Sequence, residues 1–115
     1  MPRTLTAVSL TLICAACALA QVAEPIDFGP PPVEELAAEA ERLYDEWRWD
    51  ELKAISLRMV THYPQSAESC YWRGVAHHND HELEDAKAAY ERALELDPDM
   101  LRARLGLVSV AWGLD

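Results

Sequence analysis

Two prolines 34 residues apart, Pro64 and Pro98, constrain the fold of this chain more than any other feature. Each follows an amphipathic stretch, and proline both fails to continue a helix and disfavours helical geometry at the residue before it. Between them, Ala67–Met100 holds two apolar stripes separated by the polar segment His77–His81. The second stripe has the steps of three and four residues that are typical of a helix. Its members are Leu83, Ala86, Tyr90, Ala93 and Leu94. The sequence therefore predicts a helix, a turn, a second helix and a stop.

Weaker copies of this unit lie on both sides of it. Val33–Ser66 keeps a small residue, Ala40, in its first stretch and ends at Pro64. Its second stretch has Leu52, Ser56 and Met59 where the central copy has Ala86, Tyr90 and Ala93. Leu101–Asp115 has the length of the first helix of a third copy, with Val108 in place of the small residue.

This arrangement resembles the tetratricopeptide repeat, a 34-residue unit of two helices that stacks into a solenoid. The segment AYERALELDP, which ends at Pro98, is typical of that family, and Gly74 stands where the family has a small residue. The resemblance implies an all-α fold over residues 33–115, a short helix-turn-helix solenoid of about two and a half tetratricopeptide repeats. The repeats are expected at 33–66 (divergent), 67–100 (typical) and 101–115 (a third first helix or a cap).

Three further packing expectations follow. Gly74 is expected where the two helices of its repeat nearly touch, so leucine there should overpack the contact. Replacement of Gly74 by alanine is expected to change the stability only slightly, because the higher helix propensity of alanine partly offsets the added methyl group. Trp47 and Trp49 flank the first turn and are expected to pack at the helix junction. Cys70 is expected to be a small buried apolar side chain.

Composition excludes several classes of structure and partner. Gly is scarce and the chain is rich in Ala, Leu, Glu and Arg, which favours helices. A coiled coil is the alternative helical fold, but no heptad persists beyond one helix and the prolines interrupt a long one. The 20 acidic and 10 basic residues give a net charge of −10. Such a chain repels phosphate backbones and anionic lipids, so no nucleic-acid partner is expected.

The first 20 residues have the pattern of a secretion signal. Arg3 precedes an apolar stretch, Leu5–Leu19, and Ala18-Leu19-Ala20 is a small-x-small cleavage pattern before Gln21. The stretch is short for a membrane span, which needs about 20 residues. A periplasmic or secreted protein is therefore expected, with no membrane span in the mature chain. Lipoprotein processing at Cys17 is the minority alternative, and a retained membrane anchor ranks after it.

Residues 21–32 are expected to form a linker. Four prolines and one glycine lie among these 12 residues, which favours an extended, partly polyproline II conformation. The first helix is then expected near Val33.

Histidines of the central turn invite a metal-site hypothesis. His77 and His81 are four residues apart and His78 is adjacent, so a continuous helix could bring two imidazoles to one zinc ion. The repeat requires a turn there, which favours the interpretation of these histidines as polar turn residues and not as metal ligands. We therefore expect no metal and no cofactor, and a metal-dependent enzyme or enzyme accessory using these histidines remains the alternative function.

The family resemblance implies that the first helices of successive repeats line a concave groove, where residues 34 apart stand side by side. The groove residues expected from this rule are Tyr44, Glu41, Glu68, Tyr71, Trp72, His78, Arg102 and Trp112. Tyr, Trp and Arg often contribute most of the binding energy at interfaces. For Trp72 in particular, packing between repeats is the competing interpretation.

Function is predicted from this groove. We expect a non-catalytic protein–protein interaction module that binds a peptide or protein segment of basic or apolar character, in a role such as bacterial envelope assembly. The last helix adds a second expectation, because Leu107, Val108, Val110, Ala111, Trp112 and Leu114 give it an apolar outer face. Such a face predicts a homodimer, or an obligate partner, at the C-terminal helix.

Overall fold

The computed structural model describes residues 29–114 and places five α-helices there. They are α1 (Val33–Asp45), α2 (Trp49–His62), α3 (Ala67–Asn79), α4 (Leu83–Leu96) and α5 (Leu101–Leu114). Each helix packs against the next along the chain, and α3 also contacts both α1 and α5. The odd-numbered helices thus form one layer of a two-layer stack, and the expected all-α solenoid is confirmed. The predicted signal segment, Cys17 and most of the linker lie outside the described residues.

Both proline-containing turns have the same backbone hydrogen bonds. The amide of Tyr63 donates to the carbonyl of Met59 at 2.7 Å, and the amide of Asp97 donates to Ala93 at 2.8 Å. After each proline, a second amide bonds back over three residues at 3.2 Å, from Ser66 to Tyr63 and from Met100 to Asp97. The first repeat therefore reproduces the backbone geometry of the second, although its sequence departs from the family pattern.

The turns inside the two repeats also match. Trp47 and His81, which are 34 residues apart, both have a φ of 61°. The amides of Trp47 and Arg48 donate to Tyr44 and Leu43 at 3.1 and 2.9 Å. His81 and Glu82 donate to His78 and His77 at 3.1 and 2.9 Å in the same way. This pair of bonds, closed by a left-handed residue, is the Schellman motif, which satisfies carbonyls at the helix end.

Divergence of the first repeat is compensated inside the core. Leu52, Ser56 and Met59 are fully buried, as are Ala86 and Ala93 at the equivalent positions, with Tyr90 only 2% exposed. Two large side chains flanking a small one thus replace two small side chains flanking a large one. The Ser56 hydroxyl donates to the carbonyl of Lys53 at 2.8 Å, which satisfies the one polar group in this set. A similar interior volume is filled in both repeats, so the fold tolerates the departure.

Gly74 lies in the predicted close contact, and the contact is tighter than the sequence indicated. A β-carbon at Gly74 would lie 2.7 Å from Cε1 of Tyr90, and one at Gly106 would lie 2.6 Å from Cζ of the same ring. Tyr90 is therefore wedged between the two glycines of α3 and α5. This contact argues against the expectation that Gly74→Ala is mild, because the added β-carbon would have to displace the Tyr90 ring.

Smaller expectations have mixed outcomes. Cys70 is buried, and burial raises the pKa of its thiol, as expected for a packing residue. Trp49 packs partly buried against the core, with its ring 5.5 Å from that of Tyr44. Trp47 is 75% exposed, but its ring lies 6.0 Å from that of Trp49, so the expected junction contact is made at the surface.

The apolar face of α5 differs from the predicted one. Val110 is fully buried and Leu107 packs against the core, so neither belongs to an outer face. The large exposed apolar side chains of this helix are Leu101, Leu105, Val108, Trp112 and Leu114. In the described part of the chain, none of the helices has the length and apolar character needed to span a membrane.

Candidate protein-binding groove

The layer formed by α1, α3 and α5 lines a cavity of about 320 Å³, called here the central cavity. Tyr44 comes from α1, Tyr71 and His78 come from α3, and Arg102 comes from α5. The other lining residues are Val75, Asn79, Tyr90, Leu105, Gly106 and Ser109. Four of the eight residues expected in the groove thus converge from three helices, because a 34-residue period places equivalent turns side by side.

A second concavity, called here the acidic recess, adjoins the first at Arg102. Its volume is about 290 Å³, and it contains the predicted residues Glu41 and Glu68 together with Glu34. Its remaining lining is Val33, Ala37 and Ala38. The face therefore has two parts, a phenol-rich cavity without a carboxylate and a recess with three carboxylates.

Arg102 joins the two parts through stacking. Its guanidinium carbon lies 4.7 Å from the ring centroid of Tyr71 and 5.1 Å from that of Trp72. A cation over an aromatic face gains about 0.5–2 kcal/mol, more where water is excluded. On the other side, Nη2 lies 4.0 Å from Oε1 of Glu41, at the limit of an ion pair. These contacts hold the guanidinium in place before any ligand binds.

Aromatic contacts support the floor of the central cavity. Tyr71 is T-stacked on Trp72 with centroids 5.0 Å apart, and its ring lies 5.9 Å from that of Tyr90. Tyr44 is edge-on to Trp72 at 6.2 Å, and His78 is edge-on to Tyr90 at 6.5 Å. Burial raises the pKa of Tyr71, with Arg102 opposing, and burial also raises the pKa of Tyr90. Both phenols therefore remain protonated at neutral pH and can donate hydrogen bonds.

Two buried polar atoms of α3 lack a hydrogen-bond partner within residues 29–114. They are Oε2 of Glu68 and Nε1 of Trp72. An unsatisfied buried polar group costs about 1–3 kcal/mol, and more when it is charged. Since Glu68 also lines the acidic recess, it adds to the set of acidic side chains there.

Two of the predicted groove residues lie elsewhere. Trp72 is 1% exposed, so it supports the floor from beneath and offers no surface to a ligand. Trp112 is 80% exposed but does not line the central cavity with its period mates Tyr44 and His78. The period correctly aligns the backbone of α5, but it does not bring the end of this helix into the same cavity.

Six of the ten lining residues are not among the eight expected groove residues, and two of the six show which sequence signals were available. Asn79 follows Val75 by four residues, so helical spacing alone could have extended the α3 row to it. Tyr90 belongs to α4, outside the layer used for the prediction, and reaches the cavity because Gly74 and Gly106 have no side chains. The pair of glycines, Gly74 and Gly106, was the sequence signal from which the position of Tyr90 could have been predicted.

The three histidines of the central turn do not converge. His78 lines the central cavity, whereas His77 lies with Nδ1 3.7 Å from Oε2 of Glu82. Among residues 29–114, one set of three His, Cys, Asp or Glu side chains brings its potential ligand atoms within 4.8 Å of one another. That set is His77, Glu82 and Asp85. Two of its members are exposed carboxylates, and exposed acidic groups commonly gather in this way without a metal ion.

Comparison with known families matches residues 67–100 to the model of the tetratricopeptide repeat. A search of curated proteins finds no match.

Proposed function

We propose that this chain is a tetratricopeptide repeat protein, since residues 67–100 match that family's model, and that it binds a polypeptide segment in the central cavity and acidic recess. The observation that carries the proposal is the convergence of Tyr44, Tyr71, His78 and Arg102 from three helices into one cavity. Rigid aromatic side chains lose little conformational freedom on binding, and Arg102 is already held by stacking, which makes them effective contacts. The family generally works by interaction without catalysis, and we propose the same here.

Partner chemistry follows from the charges of the two concavities. Glu34, Glu41 and Glu68 face the recess, and the chain as a whole has a net charge of −10. Lysine or arginine of a partner would find carboxylates there, one of them with an unsatisfied buried oxygen. Apolar side chains would pack on the tyrosines of the central cavity. We therefore propose a segment that combines basic with apolar residues.

Peptides selected on the purified chain from a random-peptide phage library would test this proposal. The selected peptides are expected to combine Lys or Arg with large apolar residues. Tyr44→Ala should weaken their binding about tenfold, since loss of one such contact costs more than about 1 kcal/mol. Glu41→Gln should weaken binding more at low than at high salt, because salt screens the charge that it removes.

Leu57→Ala is the matched control, since Leu57 is exposed on α2 and lines neither concavity. It should leave peptide binding unchanged. Selection of acidic peptides, or equal binding by Tyr44→Ala and the wild type, would reject the groove as the binding site.

We also propose that the protein is exported and works in the bacterial envelope, on the pattern of residues 1–20. In addition, the exposed apolar side chains of α5 support self-association through that helix.

A further inference from the structure

One face of α5 has the spacing of a helix-packing seam. Leu101, Leu105, Val108 and Trp112 follow one another in steps of four, three and four residues, the spacing of a heptad seam. Their side chains are 64, 58, 55 and 80% exposed. These are four large apolar side chains in one straight row.

Equivalent rows in the earlier repeats are covered by following helices. In α3 the row is Ala67, Tyr71, Gly74 and His78, and all four are buried or partly buried. Tyr90 of α4 lies over Gly74, and Arg102 of α5 lies over Tyr71. This side of a first helix is thus the side on which further helices pack, and within residues 29–114 no helix covers it on α5.

We infer that α5 pairs with α5 of a second copy of this chain, antiparallel and about a two-fold axis between Gly106 and Leu107. This register places Leu101 opposite the partner's Trp112 and Leu105 opposite the partner's Val108. In each pair residue i of one copy meets residue j of the other and the reverse, which is the pairing that a two-fold interface requires. The inference rests on the proposed self-association and adds its orientation and residue pairing.

Charge selects the antiparallel orientation. The charged residues of α5 within the described chain are Arg102 and Arg104, both in its first turn. They are held at that end, Arg102 by stacking on Tyr71 and Arg104 by donating to the carbonyl of Pro98 at 2.5 Å. Parallel helices would bring four guanidinium groups together. In the antiparallel arrangement, Arg102 and Arg104 of each helix instead lie beside the C-terminal half of the other helix. The helix dipole is negative at that end.

Pairing of this kind would join two binding sites. Leu105 belongs both to the row and to the wall of the central cavity. The two cavities would therefore lie on either side of the two-fold axis, and a partner with two binding segments would gain avidity.

Sedimentation equilibrium of the full chain tests the pairing with charge variants. Leu101→Glu and Trp112→Lys should each raise the dimer dissociation constant at least tenfold. The double variant should recover most of the loss, because the carboxylate introduced in one copy would then face the ammonium group introduced in its partner. Within one helix these two positions are about 16 Å apart, so they cannot pair with each other. In a parallel dimer the double variant would be weaker than either single one.

Controls separate the possible failures. Leu57→Glu puts a charge on an exposed leucine of α2 and should not change the dissociation constant. Circular dichroism should show unchanged helicity in each variant, since the replaced side chains are exposed. An equal mixture of the two single variants should form a heterodimer tighter than either homodimer, which tests whether both positions lie in the interface.

A helical wild-type chain that stays monomeric at high concentration would overturn self-association altogether. A dimeric wild type without recovery in the double variant would overturn the antiparallel register alone. Neither outcome affects peptide binding by Tyr44, so the groove proposal stands or falls separately.

Discussion

At the scale of single residues, the stack depends on a ring held between two glycines. Tyr90 is 2% exposed and reaches both Gly74 and Gly106, so it joins α3, α4 and α5 in one contact. The same ring forms part of the floor of the central cavity. The packing of the typical repeat and the shape of the candidate site are therefore set by the same side chain.

Gly74→Ala should destabilise the protein by about 1–3 kcal/mol, because its β-carbon must displace the buried Tyr90 ring. Gly113→Ala is the matched control. Its β-carbon would meet Cδ1 of Leu83 at 2.8 Å, but that atom ends a flexible side chain that can move. The better helix propensity of alanine should then leave Gly113→Ala neutral or up to about 1 kcal/mol more stable. Urea unfolding of both variants measures the difference.

A double-mutant cycle identifies the cause. Tyr90→Leu removes the ring, so adding Gly74→Ala to it should cost much less than in the wild type. An equal cost in both backgrounds would show that the ring is not what restricts Gly74.

At the scale of elements, each repeat turns its two helices through a Schellman motif that has no glycine. Trp47 and His81 adopt the left-handed conformation that glycine adopts most readily. The shared hydrogen-bond pattern of the two turns shows that the repeat geometry holds these residues in place against their own preference. The turn of the second repeat also forms an ion pair with the first, from Nζ of Lys53 to Oδ2 of Asp80 at 2.6 Å.

His81→Gly should stabilise the protein by about 0.5–1 kcal/mol, because glycine removes the steric cost of the left-handed conformation. His81→Ala keeps the β-carbon and serves as the control without that gain. Thermal unfolding monitored by circular dichroism in the far ultraviolet compares the two variants. A glycine variant no more stable than the alanine variant would contradict the assigned turn geometry.

At the scale of the whole molecule, the negative charge of the chain affects how a partner approaches it. The described domain has an acidic recess, and the chain as a whole has twice as many acidic as basic residues. A basic partner segment would therefore be attracted at long range, with a rate of association that falls as salt rises.

Export predicts a specific mature chain. When the complete chain is expressed in a bacterial host, intact-mass analysis of the periplasmic protein should show a first residue of Gln21. Ala18→Arg should block cleavage, because the site needs a small residue there. Cys17→Ser should leave the mature mass unchanged, since that residue is removed with the signal. A lipidated chain that begins at Cys17 would contradict this prediction in favour of the lipoprotein alternative.

Local patterns in the sequence were sufficient for the helices and the repeat. The spacing of Leu83, Ala86, Tyr90 and Ala93 predicts α4, and Pro64 and Pro98 predict the stops, because both effects act within a turn or two of the chain. The 34-residue period then aligns equivalent positions, and Tyr44, Tyr71, His78 and Arg102 do meet in one cavity.

Contacts between residues distant in sequence were decided only by the tertiary structure. The burial of Trp72 beneath the cavity, the tight contact of Tyr90 with Gly106, and the exposure of Trp112 each depend on what a neighbouring helix places opposite that residue. Periodicity shows which face of a helix a side chain occupies, but not how far a facing side chain reaches. The division of the face into a phenol-lined cavity and an acidic recess has the same origin, because Arg102 of α5 stacks on aromatic rings of α3 where the two meet.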